Sequence, residues 1–298
     1  MTACLIGWPG ADACADRLAA KLHAIRCRLD SRRFPDGERY LRVMDGVAGR
    51  DAIVVAQLRD PDPQLPGLLF LADALRDLGA RRVGLIAPYL PYMRQDARFQ
   101  PGEAVSARTL AKWLSGHFDW LVTVDPHLHR VATLDALYEI RTAVVPSAAA
   151  VALWIQGHVP RPHVVGPDAE SGQWVREVAA FLRCSHSVLR KSRHGDREVE
   201  FEGLDARPLR DRTPVIVDDI VSTGRTMAGA ARALRDAGTA APVCVAVHGI
   251  FADGAEALLQ RAGAARLVTC NTLTHPTNAI DLSEALAEAV RVLRHDAD

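Results

Sequence analysis

The 298-residue sequence has no surplus charge: 36 lysines and arginines balance 36 aspartates and glutamates. No overall field draws such a chain to nucleic acid or to an acidic membrane surface, so any phosphate it binds has to be held by a local site. It has no C-x-x-C pair. Its six cysteines, Cys4, Cys14, Cys27, Cys184, Cys244 and Cys270, are scattered, which favours free thiols in a reducing compartment and argues against a disulfide framework or a zinc site. No apolar run approaches the ~18 residues of a membrane span, and the N-terminus has an early acid and no basic leader, so the cytoplasm is the expected compartment. Low-complexity segments and long charge runs are missing as well. What is present, 49% hydrophobic and 24% charged residues, suits a globular protein of one large domain or two ordinary ones.

Compact apolar runs alternate with helical ones along the whole chain. "DAIVVAQL", "RRVGLIAP", "DWLVTVDP", "PHVVGPD", "PVIVDDI", "PVCVAVHGIF" and "ARLVTC" predict strands buried on both faces. "LLFLADALRDLG", "SARTLAKWLSGH", "SGQWVREVAAFLR" and "TMAGAARALRDAG" predict helices between them, with Gly79 and Gly238 as left-handed caps. The expected class is α/β with mainly parallel sheets flanked by helices. The chain also repeats itself: "ALRDLGARRVGLIAP" from Ala74 is echoed by "ALRDAGTAAPVCVAV" from Ala233, and "AIVVAQL" takes the place of "PVIVDDI". Two similar domains are expected, residues 1–146 and 147–298. In this pairing Ala56 and Gln57 stand where Asp218 and Asp219 stand in the second half, so the acidic pair is unique to that half.

"VIVDDIVSTGRTM", Val215 to Met227, carries the strongest chemical signal. Ligands of open α/β sheets bind at the carboxyl ends of strands, and here a strand ends in two acids and turns through Ser222, Thr223 and Gly224 into a helix. Backbone N–H groups of such a turn and the helix start form a cradle for a phosphate dianion. Ser222, Thr223 and Thr226 can add hydroxyl donors, and Gly224 lets the backbone approach the ligand. Arg225 either adds charge or points to solvent. The acids would repel a phosphate; they suit donors such as ribose hydroxyls, or a magnesium ion. The bland alternative is a capped helix after a polar turn.

Other stretches are weaker alone. "RRFPDGERYLR" offers Phe34, Asp36 and Glu38, an aromatic and two acceptors for an adenine, or else a surface turn built on "PDG". "PYLPYMRQDARF" sets Arg94, Gln95 and Asp96 after a strand, either for phosphate oxygens or as a surface ion pair. "TVDPHLH" ends a strand with His127 and His129, ligands for a cation or phosphate or plain surface histidines. Asp168 in "VVGPDAESGQWV" is either a hard-metal ligand or, with Ser171, a helix cap. Lys191 and Arg193 in "VLRKSRHGDREVEF" face one cleft or belong to a solvated loop.

"VIVDDIVSTGRTM" resembles the phosphoribosyl pyrophosphate (PRPP) motif shared by type I phosphoribosyltransferases and PRPP synthetases. The full set, in order and spacing, resembles the ribose-phosphate diphosphokinase family, closer to its short archaeal-type class. The resemblance implies two tandem phosphoribosyltransferase type I-like domains. It implies ATP contacts at Phe34, Asp36, Glu38, Arg94, Gln95 and Asp96, and Mg²⁺ near His127 and Asp168. Catalysis by Lys191 and Arg193 is implied too, with ribose 5-phosphate held by Asp218, Asp219, Ser222, Thr223, Gly224, Arg225 and Thr226. The implied reaction moves the β,γ-pyrophosphoryl group of ATP to the 1-hydroxyl of ribose 5-phosphate. A homo-oligomer is implied, with neither nucleic acid nor membrane as partner. A phosphoribosyltransferase acting on a nucleobase, or a non-catalytic synthetase paralogue, is the alternative.

Overall fold

A computed structural model describes residues 2–128, 130–194, 198–202 and 207–295, with the backbone alone at 191–194 and 198–202. The chain divides into two compact units. Unit 1 comprises Met1–Val145, Thr272–Thr274 and Ser283–Asp298; unit 2 comprises Pro146–Asn271 and His275–Leu282.

Unit 1 runs β1 (Cys4–Gly7), α1 (Asp12–Leu22), β2 (Ile25–Cys27), β3 (Leu29–Arg33), β4 (Arg39–Val43), β5 (Asp51–Val55), α2 (Leu65–Asp77), β6 (Arg82–Ile86), α3 (Ser106–His117), β7 (Trp120–Val124) and β8 (Arg141–Val145). Six strands form one parallel sheet in the order β2-β1-β5-β6-β7-β8, while β3 and β4 pair as a separate antiparallel hairpin. Every residue of β5 and of β7 is buried, as continuous apolar runs in a sheet covered on both faces require. Ile6, Val54, Leu68, Leu71, Leu85, Leu110 and Leu121 belong to its core, each burial favouring the fold by about 1.5–3 kcal/mol.

Unit 2 repeats this plan. Its order is α4 (Ala148–His158), β9 (Pro162–Gly166), α5 (Gly172–Leu182), β10 (His186–Val188), β11 (Arg190–His194), β12 (Glu198–Glu202), β13 (Thr213–Val221), α6 (Arg225–Asp236), β14 (Val243–Gly249), α7 (Ala255–Arg261), β15 (Arg266–Cys270) and β16 (Asn278–Ile280). The parallel sheet is ordered β10-β9-β13-β14-β15-β16, with β11 and β12 as the separate hairpin. The two orders match strand for strand, so β5 corresponds to β13 and the hairpin β3–β4 to β11–β12. Alanines of α6 (Ala228, Ala230, Ala231) are fully buried in a core with Val165, Ile216 and Ala246, which brings helix and sheet close together.

The paired helices α2 and α6 stop alike. Gly79 (φ 83°) and Gly238 (φ 76°) are left-handed. Gly79 N–H bonds to Arg76 O and Ala80 N–H to Leu75 O; Gly238 N–H bonds to Arg235 O and Thr239 N–H to Leu234 O. Both are Schellman motifs, which leave glycine as the residue free of steric cost at that position.

The last helix, α8 (Ser283–His295), belongs to unit 1. It packs on α1, β7 and β8, burying Leu286, Ala287, Val290 and Leu293. Arg291 donates to Lys21 O (2.9 Å), Arg141 donates to Leu293 O (2.9 Å), and Arg294 reaches Asp51 (3.2 Å). Conversely α4, which follows the last strand of unit 1 in sequence, belongs to unit 2 and packs on α5 and β16. A linear division into 1–146 and 147–298 puts α4 in the second unit but does not anticipate the return of Thr272–Thr274 and α8 to the first.

Candidate active site

In unit 2 the chain leaves β9 for α5 and β10 on one side of the sheet, then returns to β13 on the other. The carboxyl ends of β9 and β13 therefore flank a topological switch point, where α/β sheets bind ligands. β13 is longer than the sequence suggests. It runs to Val221, so Asp218 and Asp219 lie within the strand, Asp218 opposite Ala246 and Ile220 opposite His248. Both carboxylates are half-buried, and Asp218 Oδ1 accepts from Asp219 N–H at 3.1 Å.

The turn that follows is pinned from the next loop: Val221 O accepts from Phe251 N–H (3.1 Å) and Ser222 O from Ala252 N–H (3.0 Å). Gly224 is the N-cap of α6 with φ 71°, ψ 1°. An added Cβ there would be strained by the dihedral and would press on Ala255 O at 3.3 Å; glycine is required by the backbone itself. Thr223 and Arg225 are exposed, Ser222 and Thr226 half-buried. The N–H groups of a helix's first turn have no helical acceptors and point out of its start, so this turn presents donors beside three hydroxyls.

Next to β13, Asp168 follows β9. Its Oδ1 accepts from Glu170 N–H (3.2 Å) and Ser171 N–H (3.3 Å), while Ser171 Oγ donates to Asp168 O (2.6 Å). The capping reading of this acid is thus realised, and the Ala169–Ser171 turn it caps packs against β13. Gly166 is needed beneath it, since a Cβ there would overlap Ser171 Oγ. Lys191 and Arg193 belong to β11, their backbones opposite Phe201 and Val199 of β12; their side chains lie outside the described residues.

Unit 1 has the same switch point without the acids. At the end of β5, Gln57 is buried; its Nε2 donates to Thr272 O (3.2 Å), and its Oε1 accepts from Thr274 N–H (3.2 Å) and Thr274 Oγ1 (2.7 Å). Where unit 2 offers Asp219, unit 1 has latched a segment of its own chain.

Phe34, Asp36 and Glu38 form the tip of the β3–β4 hairpin. Phe34 N–H bonds to Glu38 O, and Asp36 accepts from Glu38 N–H at 3.1 Å. Phe34 is exposed, with the Arg32 guanidinium 5.0 Å over its ring. Arg94, Gln95 and Asp96 diverge in role. Arg94 is exposed. Gln95 Nε2 donates to Glu103 (3.3 Å), which also accepts from Phe99 N–H and Gln100 N–H; those backbone bonds hold the Glu103 carboxyl below its usual range. Asp96 is not a surface acid. Its side chain is 2% exposed, Oδ1 accepts from Arg130 at 3.0 Å, and Oδ2 is buried without a partner. Any part it takes in nucleotide binding therefore runs through Arg130, whose guanidinium covers the Phe99 ring at 4.7 Å. This pair ties the loop after β6 to the loop after β7. Sequence reading missed Arg130, although it directly follows "DPHLH". His127 is half-buried in that second loop, and His129 lies outside the described residues. Among the described residues, no group of three or more His, Cys, Asp or Glu could hold a metal ion. No described helix is long and apolar enough to cross a membrane.

Residues 4–117 match the family model described as the N-terminal domain of ribose phosphate pyrophosphokinase, and residues 139–285 match the phosphoribosyl transferase domain. A ribose-phosphate pyrophosphokinase of Methanobrevibacter smithii is 33% identical over 96% of this chain and 99% of its own. One from Methanopyrus kandleri is 34% identical over 93% of this chain and 94% of its own. The crystal structure of phosphoribosylpyrophosphate synthetase from Mycobacterium smegmatis superposes with a TM-score of 0.86 at 25% identity, covering 99% of this chain and all of that one. With two phosphoribosyltransferase-like units in tandem and relatives that match from end to end, the chain belongs to the ribose-phosphate pyrophosphokinase family.

Proposed function

We propose that the protein transfers the β,γ-pyrophosphoryl group of ATP to the 1-hydroxyl of ribose 5-phosphate, giving PRPP and AMP. The observation that carries this reading is the contrast between the paired sheets: Asp218, Asp219 and a left-handed Gly224 at the switch point of unit 2, against Ala56 and the self-latched Gln57 in unit 1. Only one unit keeps the means to hold a ribose phosphate, which leaves the other for a second substrate.

Asp218 and Asp219 accept from the 2- and 3-hydroxyls, and the Ser222–Thr226 turn holds the 5-phosphate, with Arg225 adding charge. This fixes the 1-hydroxyl as the nucleophile. Phe34, Asp36 and Glu38 of the hairpin tip, with Arg94 and Gln95 and with Arg130 held by Asp96, meet the nucleotide. Lys191 and Arg193 stabilise charge developing on the transferred group and on the leaving AMP oxygen. Pyrophosphoryl transfer asks the protein for alignment and charge rather than covalent chemistry.

The described residues offer one hard donor, the Asp168 carboxylate, and a separate nitrogen donor, His127, rather than a closed metal cage. That donor set fits Mg²⁺, which keeps several waters and rides on substrate phosphates. When bound, the ion neutralises triphosphate charge. A cytoplasmic homo-oligomer is part of the same reading.

Incubation with ATP, Mg²⁺ and ribose 5-phosphate is expected to yield AMP and PRPP in equal amounts. Absence of AMP overturns the assignment, and base-dependent release of pyrophosphate from PRPP would favour a phosphoribosyltransferase. Lys191→Ala is expected to cost several powers of ten in turnover while ribose 5-phosphate affinity stays unchanged; full activity in that variant removes the lysine from the mechanism.

A further inference from the structure

At the amino ends of β9 and β13, unit 2 contains a cavity of about 590 Å³. Arg161, Arg207, Arg210 and Arg212 line it against a single acid, Asp211. Among the described residues, Arg161, Arg210 and Arg212 make no ion pair or side-chain hydrogen bond. Three unpaired guanidinium groups around one space, with Asp211 as the one acid on its wall, leave a net positive charge there. The field extends into the fold: after the dominant effect of burial, Arg212 is the next influence holding the buried His163 at a pKa of about 4.

The cavity stands apart from the site described above. Thr213 at the start of β13 and Gly238, just past the end of α6, are on its wall, whereas the Ser222–Thr226 turn joins the other ends of the same strand and helix. The 12 residues of α6 put about 18 Å between its two ends.

We infer that this cavity is a second anion site, which takes a small oligophosphate through the forked donors of Arg161, Arg210 and Arg212. Arginine matches phosphate oxygens two at a time. The volume falls in the range of small-molecule pockets, about 300–1,000 Å³, and exceeds the needs of a single phosphate. No aromatic side chain lines it and its apolar wall is limited to Leu209 and two alanines, so nothing is provided for a nucleobase. The ligand class is therefore a linked pair or trio of phosphates, recognised by charge and geometry. This inference goes beyond the proposed reaction and does not depend on it.

The test is calorimetric titration of the full chain with inorganic pyrophosphate, metal-free, after saturation with ribose 5-phosphate to occupy the turn at 222–226. One equivalent is expected to bind. In the Arg161→Ala/Arg212→Ala double variant the dissociation constant is expected to rise about tenfold or more, as loss of charged hydrogen bonds predicts. Arg210→Gln, which removes the charge and the forked donors but keeps a shorter polar side chain, provides the second reading should the double variant fail to fold. Unchanged affinity in the folded variants overturns the site. Equal binding of citrate at matched ionic strength overturns the phosphate class, and a loss of AMP affinity in the double variant as large as the loss of pyrophosphate affinity overturns the oligophosphate assignment.

Discussion

Thr274 Oγ1 donates to Gln57 Oε1 at 2.7 Å, joining residues 217 positions apart inside one unit. Together with the bonds to Thr272 O and from Thr274 N–H, it fills with protein the place that the paired strand in unit 2 leaves for the acid Asp219. Gln57→Ala is expected to lower the stability of unit 1 by about 1–3 kcal/mol, because buried partners are left unsatisfied. Ribose 5-phosphate affinity should not change. Urea unfolding followed by intrinsic fluorescence, alongside substrate titration, reads both quantities.

Removing charge from the second unit should do the opposite. Asp219→Asn keeps the shape of β13 but takes away an acceptor at the switch point. The expected outcome is a rise of about tenfold in the KM for ribose 5-phosphate, the scale of one charged hydrogen bond, with the KM for ATP and the melting temperature near those of the wild type. Steady-state kinetics with each substrate varied in turn checks this.

Acid should weaken the two units in different pH windows. His163 is buried between Ser185 and Ser187, with ring-to-hydroxyl distances of 2.7 and 2.8 Å. Burial first, then the charge of Arg212, lowers its pKa to about 4 from 6.5. Its folded form is neutral, so the stability it contributes is present above pH 6.5 and is lost as pH falls from there through 4. Asp51 behaves differently. Burial alone would raise its pKa, but hydrogen bonds from Arg81 and Arg82 and their charges override this and hold it at about 2. Its contribution of about 2 kcal/mol is present above pH 3.8 and is lost only as pH falls from there through 2. His163→Asn should flatten the upper part of a stability–pH profile, and Asp51→Asn the lower part; melting curves at stepped pH provide the check.

Gly84 tests the packing of unit 1. It lies opposite Trp120 across β6 and β7, and a Cβ at this position would overlap the indole ring. Gly84→Ala is expected to destabilise by about 1–3 kcal/mol or more, as overpacking of a core does, with a fall in melting temperature seen by calorimetry.

Much of this was legible in the sequence. β5, β6, β7, β9, β14 and β15 lie within the apolar runs that predict them, and β13 extends past its run to Thr213 and Val221, because strands covered on both faces need continuous hydrophobic residues. Gly79 and Gly238 announced their caps because few other residues tolerate a left-handed φ. The hairpins β3–β4 and β11–β12 gave no such signal: β3 and β4 mix charged with apolar residues and are partly exposed, with Leu29, Leu41 and Val43 packed against the core, and β11–β12 reads "RKSRH" against "EVEFE". Asp168 could be read as ligand or cap from its spacing alone, and the cap is what its hydrogen bonds show. Arg130 was invisible for another reason. Its importance comes from Asp96, 34 residues earlier, and an ion pair between two loops has no periodicity to betray it.

The placement of α8 also bears on how the protein is made. Domains emerging from the ribosome ordinarily fold in order, the N-terminal one first. Here unit 1 needs Thr272–Thr274 to satisfy Gln57 and Ser283–His295 to cover α1 and β8. The half synthesised first is therefore the half completed last, and until residue 295 has been released it must persist with an uncovered apolar flank.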